Sequence, residues 1–465
     1  MTHRILTSSR REFLQKAGAG FGMVALADLL QQEKLLAEDP VNPLAVKPAH
    51  FAARAKSVIW LFMEGGPSAC DTFDPKPELE KHAGQRPKQA MSTFFGNPGP
   101  LLKSPFTFRQ HGQCGAWVSD ALPHIARHVD EIAFIRSCWA ESPSHGPAMY
   151  QMNTGMVRTG FPSAGAWVLY GLGTENQDLP GFVVLQNSTG SKGGPQNWGS
   201  GFLPGVYQGT TFRAKGVPLL NLNRPDSISE PEQRRMLDLA AQLNEQHRLA
   251  HPAEPDLQAR IQSYELAFRM QWKAREAVDI ASEPEPMRAL YGLDQEKTRP
   301  FGEKCLLARR LVERGVRFVQ VYCDNEWDAH SKIERNHSDR CAETDQGVGA
   351  LLTDLKARGL LDSTLVIWGG EFGRMPVSES GDGRDHNPHG FLTWMAGGGV
   401  RGGVSYGSTD EIGYRAVENP VSVHDIHATV LHLMGMDHEQ LTYLYNGRRF
   451  RLTDVSGNVL RDILV

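Results

Sequence analysis

The residues best suited to chemistry stand at the ends of apolar runs. In Thr364-Leu-Val-Ile-Trp-Gly-Gly-Glu-Phe-Gly-Arg374, the run Leu365–Trp368 ends in two glycines that present Glu371 and Arg374. The glycines break the strand that the apolar run predicts. Glu64 follows Ser57-Val-Ile-Trp-Leu-Phe-Met63 in the same way, and Asp328-Ala-His330 follows Val316-Arg-Phe-Val-Gln-Val-Tyr322. A carboxylate and an imidazole two residues apart in an extended loop can face one way, and together they suit a hard-to-borderline divalent cation. An ordinary polar turn is the competing reading, which His337 close behind counts against. Asp385-His386-Asn-Pro-His389 offers another carboxylate and two imidazoles in a loop before a strand. The preceding Gly381-Asp-Gly-Arg384 equally fits a solvated loop.

Ser144-His145-Gly146 precedes a helix, whose N-terminal dipole favours anions. Ser144 is either a nucleophile activated by a metal or a helix cap, and His145 is a candidate ligand. Arg374 has the fork geometry to bind an anionic oxygen, or it pairs with Glu371 or Asp385. His424, His427 and His432 fall on an apolar helix and read as structural, with Asp425 as its cap. Asp345 lies inside a helix and reads as a buried hydrogen-bonding residue.

Strands are expected at 57–63, 133–135, 182–185, 316–322, 364–368 and 391–395. Helices are expected at 147–155, 302–315, 343–357 and 423–434. The β-α-β spacing from 302 to 368 predicts a parallel sheet, hence an α/β fold, and in such sheets ligands bind beyond the carboxyl ends of strands. Residues 229–250 and 255–282 carry helical periodicity and read as an antiparallel helical pair inserted at about 229–282. Residues 190–209 read as a long surface loop.

A chain of 465 residues can bury a large core, and its net charge of −4 makes no electrostatic case for nucleic acid. Six cysteines without CxxC spacing form no zinc-finger pattern, and any pairing among them is open. Ser9-Arg10-Arg11-Glu12-Phe13-Leu14 followed by the glycine-rich run Ala17–Ala27 reads as a twin-arginine export signal, with residues 1–45 as signal and linker and 46–465 as the α/β domain. The expected location is periplasmic or extracellular. No other segment is apolar enough to span a membrane.

Element order and motifs together resemble an exported, sulfatase-like bacterial family of unknown function. The resemblance rests on Leu61-Phe-Met-Glu-Gly-Gly-Pro-Ser68, Glu371-Phe-Gly-Arg-Met-Pro376, Gly383-Arg-Asp-His386, Ala396-Gly-Gly-Gly-Val400 and Gly447-Arg-Arg-Phe-Arg-Leu-Thr-Asp454, and it spans nearly the whole chain. More distantly it is similar to the alkaline phosphatase superfamily, which includes the sulfatases. That likeness implies an alkaline-phosphatase-like core, a divalent metal (zinc or calcium) and a small-molecule or polysaccharide ester as substrate. Asp328, His330 and His386 or His389 would resemble a first metal site, and Glu64 and Glu371 the remains of a second. Glu64 stands where the superfamily has Asp, and Glu371-Phe372 where it has Asp-His. No cysteine lies near Ser144 for conversion to formylglycine. The resemblance therefore implies either a metal-dependent hydrolase of phosphate or sulfate esters or a non-catalytic envelope binding protein with the same fold.

Overall fold

Strand β1 (Ser57–Met63) is buried along its whole length. Ile59, Leu61 and Met63 enter one apolar core, and Val58, Trp60 and Phe62 enter the other. This is the period-two alternation of a strand covered on both faces, which is why its sequence is continuously apolar. The structure is a computed structural model describing residues 42–96, 98–186, 190–213, 227–250, 266, 270, 274–323, 327–379 and 381–465, the side chains of 248 and 249 excepted.

The other strands of the main sheet are β2 (Ile132–Trp139), β3 (Phe182–Gln186), β4 (Thr210–Arg213), β5 (Phe318–Cys323) and β6 (Thr364–Gly369). Beyond them come β7 (Gly373–Ser378) and β8 (Arg384–Asn387), then β9 (Phe391–Ala396), β10 (Val404–Tyr406) and β11 (Val421–Ser422). Nine strands form one sheet in the order β10-β2-β9-β6-β1-β5-β3-β4, with β11 also pairing β2. Every pairing in it is parallel except those that β9 makes with β2 and β6. The fold is therefore α/β with a mostly parallel central sheet.

Helices cover both faces. The described helices include α1 (His145–Thr154), α2 (Ala164–Leu172), α3 (Glu230–Ala250), α4 (Arg299–Glu313), α5 (Ile333–Ala357) and α6 (Val423–Leu433). Cys305, Leu306 and Leu311 of α4 and Val348, Leu351 and Leu355 of α5 pack on one face; Met149, Trp167, Ile426 and Leu431 of α1, α2 and α6 pack on the other. Ser422 caps α6 and Asp425 closes the capping box, so Asp425 shares with Ser422 the cap expected of it. His424 and His427 tie α6 to α1 through the carbonyls of Gly155 (2.7 Å) and Met152 (2.9 Å).

Three differences from the sequence reading matter. First, β7 and β8 form a two-stranded antiparallel sheet in which residues 384–387 are buried, so the segment expected as a loop from Asp385 is in part a strand. Second, α5 begins ten residues before 343, because the polar stretch 333–342 still buries Ile333, His337 and Cys341. Third, α3 is a helix as expected, but most of the proposed partner at 255–282 lies outside the described residues, as does the twin-arginine segment. Residues 44–465 form one compact unit. All six cysteines are free thiols, and all but Cys114 are buried. Among the described residues no helix is long and apolar enough to cross a membrane.

Candidate metal centre

Three neighbouring strands, β5, β1 and β6, run parallel and end together. Their terminal loops carry Asp328, Glu64 and Glu371. Gly65 makes the convergence possible: its φ of +107° suits glycine, and a Cβ there would lie 2.6 Å from the Asp328 nitrogen. The Gly65 N–H donates to both oxygens of Glu371, at 3.0 and 3.2 Å. Gly383 acts similarly, since a Cβ would fall 1.9 Å from the His330 carbonyl oxygen. Its absence lets the Arg384 N–H reach the Ala329 carbonyl at 2.9 Å, which brings β8 against the Asp328–His330 loop.

Asp328 is the hub. Its Oδ1 lies 2.9 Å from His330 Nε2, 3.3 Å from His386 Nε2 and 2.7 Å from an Arg374 nitrogen. Its Oδ2 lies 3.0 Å from His145 Nε2 and 2.9 Å from Lys192 Nζ. Burial opposes ionisation, but the hydrogen bond from His145, the close imidazoles of His330 and His386 and the Arg374 charge outweigh it, holding the carboxyl far below the usual carboxylate range.

The outward nitrogens of two imidazoles are committed. His330 Nδ1 bonds Glu379, and His386 Nδ1 donates to the Pro143 carbonyl at 2.6 Å. In the neutral rings these partners assign the tautomers, so both Nε2 lone pairs turn inward, 3.0 Å apart. Three acceptors, Asp328 Oδ1, His330 Nε2 and His386 Nε2, thus face one point. Acceptors this close repel unless a proton or cation lies among them. Edges of about 3 Å are what ligands about 2.1 Å from one ion subtend, so the residues fit a metal ion. His145, Asp328, His330 and His386 form one potential ligand group, and His330, Glu379 and Asp385 a second. Burial lowers the His386 pKa to about 4, which keeps its ring neutral.

Other expected residues stand elsewhere. Arg374, expected to bind an anion, is buried with its guanidinium on the carbonyls of Gly65, Gly66 and Arg384 and on Asp328; it braces the hub. Glu371, expected as a ligand, grips His145 Nδ1 at 2.6 Å. Burial disfavours a charge on His145, yet the hydrogen bonds with Asp328 and Glu371 prevail and raise its pKa. Glu64 accepts the Lys192 N–H at 2.8 Å and joins neither ligand group among the described residues. His389 also joins neither; its ring packs 5.4 Å from Tyr414. Asp385 accepts the N–H groups of His386, Phe94 and Phe95 at 2.7, 2.6 and 3.1 Å. Ser144 begins α1 without a capping side-chain bond.

Lys192, Glu379, Phe94 and Phe95 escaped the sequence reading. Lys192 lies between glycines in a segment that reads as surface loop, and Glu379 lies in a polar stretch. No local pattern links either to Asp328.

No curated protein matches the chain. Solved structures similar to it include a phosphonate monoester hydrolase from Silicibacter pomeroyi (12% identity, TM-score 0.41, covering 88% of this chain and 76% of that one). The PsFucS1 sulfatase from Pseudoalteromonas sp. is 13% identical (TM-score 0.36, 83% and 69%). An alkaline phosphatase from the Antarctic bacterium TAB5 is 10% identical (TM-score 0.35, 82% and 98%). Overlays this loose carry no residue assignment. The family model described as "Protein of unknown function (DUF1501)" matches residues 55–464, which takes in every strand and helix around the Asp328 hub, and the chain belongs to that family.

Proposed function

We propose that the protein is a metal-dependent hydrolase of phosphate or sulfate esters, exported by the twin-arginine route and acting outside the cytoplasm. The observation that carries this reading is the convergence of Asp328 Oδ1, His330 Nε2 and His386 Nε2 on one point at the carboxyl end of the sheet. Asp328, His330 and His386 would hold the ion, with Glu379 and the Pro143 carbonyl fixing the two rings. Two imidazoles and one carboxylate suit zinc or a similar borderline ion and are poor ligands for calcium, which takes oxygen. A bound ion would polarise the ester and lower the pKa of the attacking group.

The chain supplies the rest. The Lys192 ammonium, 33% exposed, offers a positive charge beside Asp328 to an anionic ester. Ser144 stands between Pro143, which orients His386, and His145, which bridges Asp328 and Glu371. Its hydroxyl makes no capping bond and is the candidate nucleophile, with water as the alternative. Arg374 keeps Asp328 ionised and oriented.

A second reading is a non-catalytic envelope binding protein. It is favoured by the closed ion-pair network in which His145, Lys192 and Arg374 neutralise Asp328 and Glu371. Elemental mass spectrometry of the purified protein, before and after chelation, separates the two. We expect near-stoichiometric metal in the wild type, none in an Asp328→Ala/His330→Ala double variant of unchanged circular dichroism, and turnover of phosphate or sulfate esters only by the former. A folded wild type free of metal that turns over no ester defeats the hydrolase reading.

A further inference from the structure

We propose that Phe94 and Phe95 form a platform for a ring in the alcohol half of the substrate, so that the site selects esters of ring-bearing alcohols over short-chain ones. The proposal rests on the hydrolase reading and adds the substrate class. Both side chains are strongly exposed, at 42% and 61%. Two adjacent exposed phenylalanines leave apolar area in water that burial would favour. They stand at the candidate centre itself. The Phe94 ring stacks on His386 at 5.3 Å and 24°, and the Phe95 ring meets His330 edge-on at 5.0 Å. The two rings meet at 4.7 Å and 82°, making a corner with an aromatic face on each side.

The corner is held in place. Asp385 Oδ2 accepts the N–H groups of both phenylalanines. On one side the Ser92 N–H donates to the Tyr414 hydroxyl at 3.0 Å. On the other, Gly99 N–H and Leu102 N–H donate to the carbonyls of Ser378 and Pro376 at 2.9 and 3.0 Å, which lays this segment along β7. Rings whose backbone is already fixed lose little further freedom on binding, so more of the stacking energy appears as affinity. The same carboxylate, Asp385, accepts the His386 N–H, so platform and imidazole share one anchor.

An ester whose acidic half lies by Lys192 and the Asp328 hub would bring its alcohol half close to these rings. Two sources share the required chemistry, an aryl ring and the C–H face of a pyranose, and both stack on phenylalanine. The test is calorimetric binding of three stable anions to the metal-replete protein: methylphosphonate, phenylphosphonate and a pyranosylmethyl phosphonate. We expect the wild type to bind one ring-bearing probe about tenfold more tightly than methylphosphonate. Phe94→Ala/Phe95→Ala should abolish that preference without changing the methylphosphonate affinity. The preferred ring tells the aryl source from the sugar. Equal affinity for all three probes in the wild type, or a preference that survives in the variant, overturns the platform while leaving the hydrolase reading in place. Failure of every probe to bind overturns both.

Discussion

Asp328 receives donors on both oxygens, Arg374 on Oδ1 and His145 and Lys192 on Oδ2. Such a carboxylate holds its charge only because its neighbours are fixed, and Gly65 positions two of the groups around it, Glu371 through its N–H and Arg374 through its carbonyl. At φ +107° a side chain is strained, and at 2.6 Å from the Asp328 nitrogen a Cβ meets backbone that cannot swing aside. Gly65→Ala should therefore cost at least about 2 kcal/mol of stability and displace Asp328 from Glu371. Urea denaturation together with metal content checks this; a variant with wild-type values for both would mean that the strand ends adapt to an added methyl. The ligand types were legible residue by residue: Asp328, His330 and His386 stand out by type and by position after apolar runs or glycines. Arg374 and Glu371 were also legible as important, but not their roles. Whether a guanidinium faces solvent or three carbonyls depends on where Gly65, Gly66 and Arg384 lie, and no local pattern carries that.

At the scale of elements, polar side chains that leave their own helix or strand join neighbouring parts of the fold. Asp345 of α5 accepts the N–H groups of His124 and Ile125 at 2.7 and 2.8 Å, satisfying donors at the start of the 3-10 turn Ile125–Glu131. Burial raises its pKa from 3.8 to about 6, against the lowering effect of those two bonds. The folded state therefore holds a proton that the unfolded chain has released between those two values. Stability must fall as pH rises through this window, and the contribution is fully present only below it. The wild type should lose on the order of 3 kcal/mol across it relative to Asp345→Ala, whose lower baseline lacks the slope. Denaturation midpoints at pH 4 and pH 7 measure this, and parallel pH profiles would remove Asp345 as the cause. The sequence marked Asp345 as a buried hydrogen-bonding residue from its place inside the helix expected at 343–357. It did not mark β7, whose short pair Met375 and Val377 joins a small apolar cluster with Leu101 and Tyr414, or β8, which has no apolar residue. β8 is buried through its pairing with β7 and its contact with the 328–330 loop, not through its own pattern.

At the scale of the whole molecule, the candidate centre draws on residues 143–145, 192, 328–330, 371–379 and 384–386, which only the folded sheet brings together. A ligand that binds such a site in the folded state alone must stabilise the fold in proportion to its occupancy. Saturation about a thousandfold above the dissociation constant is worth roughly 4 kcal/mol, on the order of 5 °C or more in the melting midpoint. Chelation should lower the wild-type midpoint by about that much and leave Asp328→Ala/His330→Ala unmoved; equal shifts in both would show the effect to be unspecific. The sequence by itself determined the α/β class, the central strands β1, β5 and β6, and the presence of carboxylates and imidazoles at their ends. It could do so because continuous apolar runs broken by glycine are local consequences of burial on both faces. Only the tertiary structure decided that His386 and not His389 turns inward, that Arg374 braces Asp328, and that Lys192 and the Phe94–Phe95 corner border the site. Those outcomes depend on backbones far apart in sequence approaching at Gly65 and Gly383, and the close packing that sets such approaches leaves no periodic trace along the chain.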